Sequence, residues 1–169
     1  MIVEIRPETG ADVDDIHAVN AAAFPTDAEA QLVDRLRIAA EPVVSLVADD
    51  AGDVVGHVMF TPVELAAARG GLVMGLAPMA VRPDRQRSGI GSALVERGLA
   101  ACRELGAVAV VVLGHAAYYP RFGFAPASAA GVRSEYDVPD DVFMLLELQP
   151  DALSGEECVA RYHAAFATL

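Results

Sequence analysis

Met79-Ala-Val-Arg-Pro-Asp-Arg-Gln-Arg-Ser-Gly-Ile-Gly-Ser92 decides how this 169-residue chain is read. The apolar end of a strand runs into an arginine-rich turn, and Gln86-x-x-Gly89-x-Gly91 opens an amphipathic helix. A helix beginning on such a turn presents backbone N–H groups that lack a partner within the helix, together with the positive end of its dipole. Glycine at 89 and 91 removes side chains that would hold a phosphate at a distance. The stretch therefore predicts an anion site. A dinucleotide site would need a third glycine where Leu94 stands, and a Walker loop would need a lysine. The chain has no lysine: all 12 basic residues are arginine, which also excludes Schiff-base chemistry.

Working outward, Ile90, Leu94, Val95, Leu99, Cys102 and Leu105 recur at core spacing and predict a helix over 89–105 that Gly106 caps. The β-branched run Ala107–Leu113 reads as a central strand, buried on both faces and parallel to its predecessor. That predecessor is Leu72–Val81, and Pro78 within it cannot donate to a ladder, so a bulge or a local edge is expected there. Upstream, Ile2–Arg6 alternates like a strand, Asp12–Phe24 and Ala28–Ala40 have helical spacing, and Val43–Ala48 reads as a buried strand. Asp49–Asp53 is a hairpin turn into Val54–Leu65. Downstream, a short helix is expected at Ala116–Phe122, with strands from Phe124 and over Val142–Leu148. A terminal helix is expected over Ser154–Ala167, with Ser154 and Glu157 as a capping box. This order is a mixed α/β (α+β) fold.

A hydrophobic fraction of 54% fits a globular chain with a real core. The net charge of −12 argues against nucleic acid and suits a cationic partner, or simple solubility. Arg82, Arg85 and Arg87 reverse that sign locally, at the predicted anion site. No segment reads as membrane-spanning and the first residues lack a signal-peptide pattern, so a cytoplasmic protein without membrane association is expected. Cys102 and Cys158 predict no disulfide framework, and both are expected on helices as small apolar residues.

Taken together, these motifs resemble the GNAT superfamily of acyl-CoA-dependent N-acyltransferases over roughly residues 3–149. Gly71–Val81 and Leu113-Gly-His-Ala-Ala-Tyr-Tyr-Pro-Arg-Phe-Gly-Phe124 resemble its YhbS-type branch. The resemblance implies a central twisted mixed sheet, splayed between its fourth and fifth strands and flanked by helices. It implies an acetyltransferase-like domain over 1–151, with 152–169 as a C-terminal helical extension packed on it. It implies acetyl-CoA as co-substrate, no metal, and a small-molecule or peptide amine as acceptor; a homodimer is compatible with it. Met79, Ala80 and Val81 would offer backbone groups to the pantetheine arm. Arg87, Ser88, Gly89, Ile90, Gly91 and Ser92 would hold the pyrophosphate. Tyr119, four residues before Gly123, matches the tyrosine that protonates the departing thiolate. One departure stands out: Val112 occupies the position where many members carry an asparagine.

The function that follows is an N-acetyltransferase acting by direct attack in a ternary complex. The alternative is a non-catalytic acyl-CoA-binding or sensing module that kept the cleft. Tyr118 competes with Tyr119 as proton donor. His115, which follows the central strand, is a candidate relay, and Arg121 is either a surface residue or a phosphate contact. Glu29, Glu64 and His57 are unranked candidates for the base that deprotonates the amine. The loops around Phe24–Glu29 and Ala129–Asp141 carry carboxylates suited to a cationic acceptor.

Overall fold

The computed structural model describes residues 2–169. In chain order the principal elements are β1 (Glu4–Pro7), α1 (Val13–Ala23), α2 (Ala28–Ala39), β2 (Val44–Asp50), β3 (Asp53–Pro62), β4 (Val73–Val81) and α3 (Ile90–Glu104). They are followed by β5 (Ala109–Leu113), β6 (Ala125–Pro126), β7 (Val132–Ser134), β8 (Phe143–Glu147) and β9 (Cys158–Ala160). Seven strands form one mixed sheet in the order β1-β2-β3-β4-β5-β8-β6, and β7 pairs with β9 in a second sheet. Contacts divide the chain into two compact units. One holds the residues up to Thr61 with Ala77–Ala101 and Ala164–Leu169; the other holds Pro62–Leu76 and Cys102–His163.

In the first unit β1, β2 and β3 form an antiparallel meander. The predicted hairpin turn has Ala51 at φ 54° and Gly52 at φ 96°, two left-handed residues of the kind that match the twist of paired strands. The Gly52 N–H donates to Asp49 Oδ1 at 2.6 Å. Glycines seat α3 on the sheet. A Cβ at Gly56 on β3 would stand 3.0 Å from Ile90 and 3.1 Å from Leu94, and one at Gly98 on α3 would fall onto the Phe60 ring. The opposite face of β3 meets α1, where Asn20 reaches His57. Arg6 ties the sheet to the start of α1 by gripping Asp12 with two nitrogens, at 2.8 and 2.9 Å, and Asp49 with a third, at 3.0 Å.

In the second unit β5 is flanked by parallel β4 and antiparallel β8, as the apolar run Ala107–Leu113 predicts. Its core gathers Val73, Ala109, Val111, Phe143 and Leu145.

The terminal helix does not form. Gly155 adopts φ 80°, outside the helical region, and Ser154 Oγ accepts from the Glu156 N–H instead of capping at Glu157. The chain then extends as β9, pairing Val132↔Cys158 to Ser134↔Ala160, and closes in a short 3-10 turn, Ala164–Thr168. Long-range pairing overrides the local helical signals, and Cys158 lies on a strand, not a helix. The strand expected from Phe124 shrinks to Ala125–Pro126, and the expected helix at Ala116–Phe122 to a 3-10 turn at Tyr119–Phe122. Cys102 does lie on a helix, fully buried in α3.

Candidate active site

β4 delivers the chain to the predicted anion turn. The Arg82 N–H donates to the Val55 carbonyl at 2.9 Å, the last backbone bond to β3 before a single 3-10 turn at Pro83–Arg85. At the other end of β4, the Val63 N–H donates to the Val73 carbonyl at 2.9 Å. Val55 to Val63, just past β3, is eight steps, while Val73 to Arg82, just past β4, is nine. One extra residue is thus accommodated on β4, the strand that carries Pro78, as a bulge requires. The parallel pairing with β5 ends at Leu76↔Val112, although β4 runs on to Val81. In the tail of β4, Ala80 is buried and Met79 and Val81 are half-buried, and the Val81 carbonyl accepts from Gln86 Nε2 at 3.0 Å.

Beyond the turn the backbone enters the left-handed region at Arg87 (φ 59°) and again at Gly89 (φ 88°). Such alternation gathers N–H groups on the inside of a turn, the geometry of an anion-binding concavity. The α3 ladder opens with the Ala93 N–H donating to the Gly89 carbonyl at 3.1 Å, so the N–H groups of Ile90 and Gly91 precede it. No atom lies within 4 Å of where a Gly89 Cβ would be. A cavity of about 200 Å³ opens here, lined by Arg85, Ser88, Gly89, Ile90 and Ala93 with Val3 and Ile5. The glycine, with nothing packed over it, and the helix start fit a diphosphate.

The arginines contribute less than the sequence suggests. Arg82 bonds Asp84 and Asp53, and Arg85 bonds Asp50 at 2.8 Å. Arg87 is exposed on the turn.

Tyr119 begins the 3-10 turn after β5, and Gly123, at φ 99°, ends it by donating its N–H to the Pro120 carbonyl. The Tyr119 ring packs against Gly114, Phe124 and Tyr118 and is only 6% exposed. Burial, with a smaller contribution from Tyr118, pushes its phenol up to about 12. Tyr118 is half-buried and holds Arg121, whose guanidinium carbon lies 4.4 Å above the ring and whose Nε donates to the Tyr118 carbonyl. His115 is exposed. Val112, at the departure from the family pattern, is a buried core residue of β5.

Two of the three base candidates separate at once. His57 is fully buried, with Nε2 2.8 Å from Ser45 Oγ and Nδ1 3.1 Å from Asn20 Nδ2, and burial lowers its pKa to about 4. That is a neutral, structural histidine. Glu64 is exposed, and its backbone pairs with Arg161. Glu29 lies in the first turn of α2.

A strand whose parallel pairing stops half-way, followed by an anion-binding turn at a helix start, is the layout of an acyl-CoA-dependent transferase. The family model described as acetyltransferase (GNAT) domain matches residues 4–127, and the chain belongs to that family. It is 38% identical over 163 residues to the uncharacterized N-acetyltransferase YhbS of Escherichia coli strain K12, across 96% of this chain and 97% of that one. The crystal structure of Escherichia coli YhbS in complex with CoA matches with a TM-score of 0.88 at 36% identity, over 98% of this chain and 92% of that chain. A GNAT family acetyltransferase from Brucella melitensis, in complex with acetyl-CoA, matches with a TM-score of 0.79 at 37% identity over 98% of each chain.

Proposed function

We propose that the protein transfers the acetyl group of acetyl-CoA directly to a primary amine in a ternary complex. One observation carries the reading: an open, left-handed Gly89 at the start of α3, in a chain related to proteins crystallised with CoA and acetyl-CoA. Main-chain N–H groups from Arg87 to Ser92 hold the diphosphate. The backbone of Met79, Ala80 and Val81 takes the pantetheine arm along the stretch of β4 that continues past its pairing with β5. An N–H at Met79 or Ala80 polarises the thioester carbonyl, a contribution of about 3 kcal/mol in comparable sites.

Direct attack is favoured over an acyl-enzyme. Burial pushes the Cys102 thiol up to about 12, which leaves almost no thiolate at neutral pH. Tyr119 protonates the leaving sulfur. Its raised pKa keeps the phenol loaded with its proton at every working pH, and an apolar setting also raises the pKa of the thiol it serves.

The test is thiol release from acetyl-CoA over a panel of amines, for wild type and Tyr119→Phe. A fall in kcat of about 100-fold or more, with CoA affinity kept, is expected of a lost general acid. Equal rates contradict the assignment to Tyr119. Micromolar CoA binding with no turnover on any amine would identify a binding module instead.

A further inference from the structure

The anion turn has little packed beneath it. Ile5 pairs with Ala48, and Ala48 stands beside Gly56 on the face that α3 covers, so Val3 and Ile5 look toward the start of that helix. Between them and the turn lies the cavity of about 200 Å³, walled on the turn's side by Arg85, Ser88 and Gly89. Apolar packing therefore does not close that side of the turn. Arg87 and Gly89 both sit at positive φ, and a backbone of that kind persists only where its surroundings hold it.

Three restraints meet at Arg85. Its N–H donates to the Arg82 carbonyl at 2.8 Å, which closes the 3-10 turn. Its carbonyl accepts from Ser88 Oγ, between the two left-handed residues. Its guanidinium leaves the turn and donates to Asp50 Oδ2 at 2.8 Å, at the end of β2. Arg82 also reaches the hairpin, but its partners Asp53 and Asp84 are 64% and 63% exposed. The side chains of Arg85 and Asp50 are only 15% and 21% exposed. Water and salt screen the exposed pairs far more than the sheltered one. The Arg85–Asp50 link is thus the stronger tether between turn and hairpin.

We propose that Arg85 is a positioning residue for the cofactor site. Through Asp50 it fixes the turn to the β2–β3 hairpin, so that the N–H groups of Arg87 to Gly91 converge before the diphosphate arrives. The proposal rests on the transferase reading above, which assigns the diphosphate to that turn. The guanidinium serves Asp50 and not the phosphates. Ordering that a loose loop would undergo on binding is done in advance, and the gain falls on cofactor affinity rather than on the chemical step. Asp50 supplies a decisive sign. Charge alone makes a carboxylate near a diphosphate unfavourable, so neutralising Asp50 would tighten CoA binding; a tether makes the same change weaken it.

The test is calorimetric titration of the full chain with CoA, alongside thiol-release kinetics. Asp50→Asn and Arg85→Met are each expected to raise the Kd for CoA and the KM for acetyl-CoA about five- to tenfold, with kcat at saturating acetyl-CoA changed less than about twofold. The double variant should bind no more than about twofold worse than either single one, because both remove the same link. Arg37→Met cuts a comparably sheltered pair, with Glu8 at 2.9 Å, away from the turn; it should lower Tm and leave CoA affinity in place. Tighter binding by Asp50→Asn overturns the proposal, since Arg85 would then be freed for the phosphates. Unchanged affinity in either single variant, additive losses in the double, or an equal loss in Arg37→Met overturns it too. Wild type that binds no CoA overturns the transferase reading, and this proposal with it.

Discussion

The ring of Tyr119 occupies the space into which a side chain on Gly114 would project. Gly114 is the first residue beyond β5, so the end of the central strand fixes the tyrosine's position through the absence of a Cβ. Tyr118 and Phe124 flank the ring, so it has no easy retreat. Gly114→Ala is expected to destabilise the fold by about 1–3 kcal/mol through overpacking. It should also lower kcat more than it weakens CoA binding. Denaturant midpoints and thiol-release kinetics on the same preparation check both; unchanged kcat would show that the ring position does not matter.

Gly98 makes a prediction whose sign runs against helix propensity. Alanine inside a helix is worth about 1 kcal/mol over glycine. Here the added methyl would enter the buried ring of Phe60, so Gly98→Ala should be net destabilising by about 1–2 kcal/mol. A higher Tm for the variant would mean that Phe60 can move.

Acid stability should carry a signature of His57. Its folded pKa, about 4, lies below the ordinary imidazole value of 6.5, with burial as the main cause, Glu8 opposing the shift and Arg37 adding to it. The unfolded chain binds the proton first, so stability is full above pH 6.5 and is lost as pH falls toward 4. The loss amounts to about 3 kcal/mol at most. Urea unfolding across this window should show a steeper decline for wild type than for His57→Gln, which starts lower because the bonds to Ser45 and Asn20 are cut. Asp12, held far below the usual carboxylate range mainly by Arg6, adds a separate loss only under more acidic conditions. Parallel curves for the two proteins would refute the histidine's role.

The arginines of the turn should not contribute equally to cofactor binding. Arg87→Ala is expected to weaken CoA binding about three- to tenfold, the scale of one exposed charge-assisted contact. The charge-neutral pair Arg82→Ala with Asp84→Ala should leave affinity within about twofold, because Arg82 is already engaged by Asp84 and Asp53. Calorimetry giving the reverse order would mean that Arg82 abandons those partners when CoA binds.

What could be read from residues alone follows the range of the interactions involved. The hairpin at Ala51–Gly52, the helix start at Gly89 and the turn end at Gly123 are local, and each is written in a glycine at a left-handed position. The parallel strand Ala109–Leu113 is legible because a continuous β-branched run has few other uses. The terminal segment misleads because Ser154, Glu157 and the alanines satisfy a helix locally, while its actual partners are Ala67, Gly131 and Glu64, far away in sequence. The neutralisation of Arg82 and Arg85 has the same origin, since Asp53 and Asp50 come from the hairpin between β2 and β3.

A crystal structure of this chain grown with CoA would locate the cofactor outright. Diphosphate density is expected against the main-chain N–H groups of Gly89, Ile90 and Gly91, with the pantetheine arm running along Met79–Val81. Diphosphate density at any other place on the protein, or none at saturating CoA, would contradict it.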